Sequence, residues 1–242
     1  MGFGYYYGFD LTYLVIVLPC VLLAMLASAN VNSTFKRYAT QYSLRHISGA
    51  EAAQRVLAAN GVSGVRIEHI SGNLTDHYDP RSNVIRLSDG VYDSTSTAAI
   101  GVACHEAGHA VQYARQYAPI RLRAAIVPIT NFGSKLAMPL ILLGLVLNFL
   151  GSFSYTLVYI GIACFGLSVV FQLVTLPVEF DASHRAMKAI AETGMLTEDE
   201  QRGARKTLTA AALTYVAATA TALAQLLRLL ILFGGRGRRR ND

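Results

Sequence analysis

Four long runs of apolar residues alternate with polar segments along the chain. They cover residues 11–29, 130–150, 155–177 and 208–233. A helix needs about 20 apolar residues to cross the hydrocarbon core of a bilayer, so this pattern predicts three to four transmembrane helices. The second run reaches that length only if the weakly polar stretch before residue 136 is counted, so its start can lie at the membrane interface.

The fourth run contains an arginine, Arg228, together with Gln225. A charged side chain within the bilayer is costly. Arg228 therefore either extends to the interface, pairs within the helix bundle or marks the end of the apolar section.

Charged residues beside these runs predict how the chain is oriented. Lys36 and Arg37 follow the first run and Asp10 precedes it, the reverse of a cleaved signal peptide, so we expect a retained anchor with its N-terminus outside. Further basic residues adjoin the runs on the side that carries residues 31–123: Arg121, Arg123, Arg185, Lys188, Arg202, Arg205 and Lys206. By the positive-inside rule this side is cytoplasmic.

The basic C-terminal tail disagrees with that orientation. Four full spans place its arginines outside: Arg236, Arg238, Arg239 and Arg240. Three explanations remain open. The last apolar segment does not fully cross, the topology is inverted, or the tail is an exception to the rule.

The polar region after the first run has the pattern of a small α+β domain. Ser48 and Glu51 form a capping-box pattern at the start of a helix that ends near Asn60. Two β-branched segments, 65–70 and 83–88, predict strands, and 74–78 is a candidate hairpin partner. We expect 83–88 either to be the sheet edge along which an extended ligand adds or to be an ordinary strand under a helix.

The amino-acid composition indicates which kinds of molecule the protein is expected to bind. The chain is 53% hydrophobic and 15% charged, with a net charge of +6, which fits a membrane protein in contact with anionic lipid. No basic patch is interleaved with aromatic residues, so no nucleic-acid partner is expected. The three cysteines, Cys20, Cys104 and Cys164, give no disulfide framework and are expected to be small buried residues.

The segment His105-Glu106-Ala-Gly-His109 is an HExxH motif on an apolar helix. Residues four apart lie on one face of a helix, so His105 and His109 can bind one Zn²⁺. Glu106 lies beside the metal and can act as general base toward zinc-bound water. Cys104 points about 100° away from His105 and is a poor ligand candidate.

A catalytic zinc needs a third protein ligand, for which Glu179 is the best candidate. It follows the third apolar run, and two spans separate it from His109, so both lie on the same side of the membrane. The alternative is a solvated acidic residue at a helix start.

The residues after Glu179 offer two further roles. Asp181 can orient a ligand histidine through its second ring nitrogen. His184 or Arg185 can stabilise the oxyanion of the tetrahedral intermediate. Each of the three can equally be a surface or packing residue.

Several segments resemble the YugP-type membrane zinc metallopeptidases of bacteria. The resemblance rests on the HExxH segment, residues 76–80 and 86–88, Leu176-Pro-Val-Glu-Phe-Asp-Ala-Ser183, and 210–216, and it covers nearly the whole chain. More distantly the chain is similar to HtpX-like gluzincins. The resemblance implies one zinc held by His105, His109 and Glu179, with Glu106 as base, in a bacterial plasma membrane. In HtpX-like enzymes an acidic residue stands four positions after the ligand glutamate, whereas Ser183 stands there in this chain.

These observations predict an α-helical membrane protein with a small α+β zincin-like catalytic domain of the minigluzincin type. The chain is expected to form one integrated peptidase domain, 1–242, with a catalytic region at 31–123 and the third ligand within 178–206. The predicted function is that of a membrane-anchored zinc endopeptidase whose zinc-activated water is deprotonated by Glu106. Its expected partners are the lipid bilayer and a protein or peptide substrate; a homo-oligomer or a regulatory partner is left open.

Two other functions remain alternatives. One is a membrane scaffold or adaptor whose metal site performs no turnover. The other is a protease that cuts within the lipid. The apolar run before His105, residues 98–104, is too short to span a bilayer, which weighs against the second.

Overall fold

The computed structural model describes residues 11–147, 149 and 151–234, and it is mostly helical. The helices are α1 (Leu18–Tyr38, preceded by a π-helical segment, Tyr13–Val17), α2 (Gly49–Ala59), α3 (Thr97–Ala114), α4 (Ala118–Val146), α5 (Ser152–Glu192) and α6 (Glu198–Gly234). The strands are β1 (Arg66–His69), β2 (His77–Asp79) and β3 (Val84–Leu87).

The chain divides into two compact units. The first, here called the apolar unit, comprises Met1–Leu26, Leu122–Val174 and Tyr215–Asp242. The second, here called the sheet unit, comprises Ala27–Arg121 and Thr175–Thr214.

Four helices in the described ranges are long and apolar enough to cross a membrane: Tyr13–Tyr38, α4, α5 and α6. This agrees with the prediction of three to four transmembrane helices. α5 continues without a break from the third apolar run through Pro177 to Glu192. Prolines are tolerated within membrane helices because neighbouring groups satisfy the backbone that they disturb.

Some of the predictions concern residues outside the described part of the chain. They include Asp10 before the first span and residues 148 and 150 at the end of the second. The tail arginines also lie outside it: Arg236, Arg238, Arg239 and Arg240.

Small residues bring α4 and α5 close together in the apolar unit. A Cβ atom added at Gly144 would lie 2.6 Å from the carbonyl oxygen of Ser154, and one at Gly161 would lie 2.9 Å from that of Ala137. Close backbone approach at small residues is the usual way in which membrane helices pack. The two helices therefore form a tightly packed hairpin.

Arg228 pairs within this unit. Its guanidinium carbon lies 5.4 Å from the centre of the Tyr13 ring, within the range of a cation–π interaction. Of the three explanations considered for this arginine, the structure supports pairing within the bundle.

The sheet has the order β1-β3-β2. β1 runs parallel to β3, and β2 runs antiparallel to β3 with Tyr78 opposite Ile85. The β3 side chains Val84, Ile85 and Leu87 are fully buried, as expected for a central strand.

Of the two interpretations of 83–88, this order excludes the sheet edge and supports the ordinary strand. Strand β3 within that segment has a partner on each side, so the edges of the described sheet are β1 and β2. The apolar residues of β3 are typical of a central strand. The parallel pairing with β1 could not be predicted from them, because it joins segments that are not adjacent in the sequence.

The predicted start of α2 is confirmed, and α3 and α6 also begin at capped residues. The Glu51 amide donates to Ser48 Oγ, and the Glu51 carboxylate accepts from the Ser48 amide, forming a capping box. At α3, Ser96 Oγ accepts from the Ala99 amide. α6 begins with a second capping box, formed by Thr197 and Glu200, and continues into the fourth apolar run. Side chains at these positions satisfy amides that a helix leaves without intrahelical partners.

Candidate metal centre

Helix α3 carries the HExxH residues and is the most buried helix of the sheet unit. Its small residues Ala99, Ala103 and Ala107 are fully buried and allow neighbouring elements to approach. His105 and His109 lie on one face, with ring centroids 4.7 Å apart and an interplanar angle of 83°. Both Nε2 atoms are directed to the same side chain on α5.

That side chain is Glu179. Its Oε2 atom lies 3.3 Å from Nε2 of His105 and 3.5 Å from Nε2 of His109, and its side chain is only 3% exposed. One ligand atom from each of the three residues lies within 4.8 Å of the others. The structure thus brings together the three predicted ligands from two helices.

Two imidazole nitrogens and one carboxylate oxygen are a donor set suited to Zn²⁺. Three protein ligands leave one position of a tetrahedral site for water or substrate, as in catalytic zinc sites. The donors are close enough together to hold one ion, so the residues present fit the predicted metal.

Acidic groups dominate the electrostatics of this cluster. Burial alone would lower the pKa of His109, but the hydrogen bond with Glu179 and the charges of Glu106 and Glu179 outweigh it and raise that pKa. A buried cluster that stabilises positive charge on an imidazole also favours a cation.

Gly108 permits the approach of α5 to α3. A Cβ atom at this position would lie 2.7 Å from the backbone oxygen of Ala182, which is closer than real Cβ contacts. The close approach at Gly108 sets the spacing between the histidine pair and Glu179.

The Nδ1 atom of each histidine meets a polar side chain. His105 Nδ1 lies 3.1 Å from Ser183 Oγ, and His109 Nδ1 lies 3.0 Å from Gln112 Oε1. Ser183 occupies the position at which HtpX-like enzymes are expected to carry an acid. Gln112 was not among the predicted site residues, although its position three residues after His109 places it on the same helix face.

Glu106 is 9% exposed, and its carboxylate contacts β2. Its Oε2 accepts a hydrogen bond from the Tyr78 backbone N–H at 3.0 Å. This places the carboxylate between α3 and a sheet edge. The contact uses a main-chain donor, so no side-chain pattern in the sequence could have indicated it.

The remaining predicted residues lie on α5. Asp181 accepts hydrogen bonds from Gln112 Nε2 at 2.8 Å and from Arg185 Nε at 2.6 Å. The Arg185 guanidinium also lies 5.6 Å from the centre of the Tyr117 ring. His184 is exposed, and its proposed role toward an oxyanion stays a prediction.

Cys104 is fully buried beside the first histidine. Burial in apolar surroundings raises the pKa of its thiol well above the usual value. The side chain therefore behaves as a small apolar residue, as expected.

Comparisons with known proteins show the family to which the chain belongs. Residues 13–234 match the model of a family described as "Putative neutral zinc metallopeptidase". The chain is 43% identical over 221 residues to "Putative membrane protease YugP" of Bacillus subtilis (strain 168), covering 91% of this chain and 96% of that relative. No solved structure matches the chain. With a family match over most of its length, the chain belongs to this family of zinc metallopeptidases.

Proposed function

We propose that the chain is a membrane-anchored zinc endopeptidase in which His105, His109 and Glu179 hold one zinc ion. The observation that carries the proposal is the convergence of these three donors beside Glu106. The proposed fold is that of a zincin-like α+β domain of the minigluzincin type, acting with the membrane helices as one integrated peptidase. The family match and the membrane-protease relative support this assignment.

In this proposal Glu106 moves the protons. When bound, zinc supplies Lewis acidity, polarising the scissile carbonyl and lowering the pKa of a water molecule. Glu106 takes a proton from the attacking water and delivers it to the leaving amine. The N–H of Tyr78 holds Oε2 of Glu106, which fixes the orientation of the carboxylate.

We infer that an extended peptide lies along β2. Strand β2 is an edge of the described sheet, and the contact of Tyr78 with Glu106 places that edge at the proposed base. The N–H and C=O of one residue point to the same side of a strand, so the Tyr78 carbonyl faces the same way and can accept a peptide N–H. Main-chain recognition of this kind binds many sequences, which suits an endopeptidase.

We also propose that the site faces the cytoplasm. The basic residues next to the candidate spans support this orientation under the positive-inside rule. Lys36 and Arg37 at the end of α1, and Arg121 and Arg123 at the start of α4, are examples.

Removal of zinc tests the proposed activity. We expect the detergent-purified protein to bind one zinc per chain and to cleave casein, because an unfolded protein offers extended peptide to an edge strand. Treatment with a chelator should abolish cleavage, and added zinc should restore it. The measurements are metal content by mass spectrometry and the rate of peptide release.

Two outcomes would contradict the proposal. Full activity in the zinc-free protein would exclude zinc chemistry. One zinc per chain without cleavage of casein or of a panel of membrane-derived peptides would favour the scaffold alternative.

Ser183→Ala tests the contact with His105. Loss of the hydroxyl leaves the His105 ring less well oriented, so we expect zinc affinity to fall about 10-fold. Ser183→Thr, which keeps a hydroxyl, is the matched control and should bind zinc nearly as the parent does. Equal zinc affinity of the alanine variant and the parent, in competition with a chelator, would show that the contact has no orienting role.

A further inference from the structure

Gln112 is a fully buried glutamine whose side chain makes three polar contacts at the site. Its Oε1 atom lies 3.0 Å from Nδ1 of His109. Its Nε2 atom lies 2.8 Å from the carbonyl oxygen of Val178 and 2.8 Å from Oδ2 of Asp181. The amide therefore connects a ligand on α3 with the backbone next to Glu179 on α5.

The chemistry of these partners fixes which way the amide points. The Val178 oxygen can only accept a hydrogen bond, and Asp181 Oδ2 already accepts one from Arg185 Nε at 2.6 Å. The end of Gln112 that faces both must be the NH₂ group. The opposite end is then the amide oxygen, which can only accept, so His109 Nδ1 must be the donor.

The hydrogen bond from His109 to Gln112 determines which ring nitrogen of His109 can bind a metal. A neutral imidazole carries a hydrogen on one ring nitrogen and a lone pair on the other. With the hydrogen on Nδ1, the lone pair of His109 is on Nε2, the atom that faces Glu179 and the proposed zinc position. The Gln112 oxygen thus selects the tautomer that can bind the metal.

We infer that Gln112 is a positioning residue of the metal centre, an inference that rests on the zinc site of the proposed function. It orients the His109 ring, and it binds the α5 backbone one residue before Glu179. Two of the three ligands, on different helices, are held through one amide. Asp181 acts on His109 through Gln112; Arg185 donates a hydrogen bond to Asp181, and the Tyr117 ring packs against the Arg185 guanidinium.

A general core role for Gln112 predicts a different result. A glutamine that only satisfies buried backbone would change stability when replaced, whatever the metal. Gln201 on α6 is such a case, because its Nε2 donates to the Leu196 carbonyl at 3.1 Å, away from the zinc ligands. Gln201→Met is therefore a matched control for Gln112→Met.

The experiment compares zinc binding by the parent and the two variants in detergent. Methionine keeps the length of glutamine and removes all its hydrogen bonds. We expect Gln112→Met to raise the dissociation constant for zinc about 10- to 100-fold and to change the visible spectrum of the cobalt-substituted protein. Gln201→Met should leave both measurements at the parental values, even if its thermal unfolding midpoint falls.

Parental zinc affinity and an unchanged cobalt spectrum in Gln112→Met would overturn the inference. If that variant fails to fold, zinc binding by Asp181→Ala tests the inference instead, since the Asp181 side chain is 22% exposed and its truncation leaves no sealed cavity. A loss of zinc affinity of less than 100-fold in Asp181→Ala supports the action of Asp181 on His109 through Gln112. Parental zinc affinity in this variant overturns that inference. Failure of the proposed function would appear in the parent, as absence of stoichiometric zinc or of cleavage, whereas failure of this inference appears only in the variants.

Discussion

Glu106→Gln is expected to lose nearly all peptidase activity and to keep its zinc. Glutamine has the size of glutamate, and its amide oxygen can still accept the hydrogen bond of the Tyr78 N–H. It cannot take a proton from water, so the step assigned to the general base is lost. Removal of such a base lowers rates by about 100- to 10,000-fold.

The measurement is casein hydrolysis at matched zinc occupancy. Glu192→Gln on α5 is the control, because that exposed carboxylate pairs with Lys188 at the helix surface and should not affect the rate. Activity of Glu106→Gln within a few-fold of the parent would remove Glu106 from the mechanism. Loss of zinc from the variant would instead indicate a structural role.

Gly108→Ala is expected to disrupt the metal centre without touching a ligand. The added methyl group would lie 2.7 Å from the Ala182 backbone oxygen, and a backbone atom cannot rotate away as a side chain can. The two helices must separate, at a cost of about 1–3 kcal/mol typical of overpacked sites. The better helix propensity of alanine returns only about 1 kcal/mol.

We expect this variant to bind zinc much more weakly and to unfold at a lower temperature. Zinc content after dialysis and the thermal unfolding midpoint measure the two effects. Gly166→Ala on α5 is the control, since a Cβ there meets no described atom within 4 Å. Parental zinc content in Gly108→Ala would mean that the spacing of α3 and α5 does not control the site.

Much of the architecture was predictable from local sequence. The apolar runs gave the candidate spans, and the Ser48–Glu51 pair marked the start of α2, because both signals depend on neighbouring residues. The spacing of His105 and His109 placed them on one helix face. Two apolar runs lie between His109 and Glu179, so the sequence allowed these residues to meet, and the structure brings them together.

Other features depended on contacts that no short pattern encodes. Because β1 pairs in parallel with one side of β3, β3 is a central strand and β2 is an edge strand. Helix α5 continues through Pro177, although proline is usually a helix boundary. The role of Gln112 needed partners on α5, 66 and 69 residues further along the chain. Glu106 takes its hydrogen bond from a main-chain N–H, which every residue type but proline carries.

Because the three donors are divided between α3 and α5, the donor set is completed only late in the synthesis of the chain. A growing polypeptide that has left the ribosome up to α4 contains the histidine pair and Glu106 but not Glu179. The complete donor set exists only once the membrane hairpin of α4 and α5 has been made. A nascent chain with an unfinished hairpin therefore lacks the third donor for the metal, and the proposed proteolytic activity can arise only after α4 and α5 have been made.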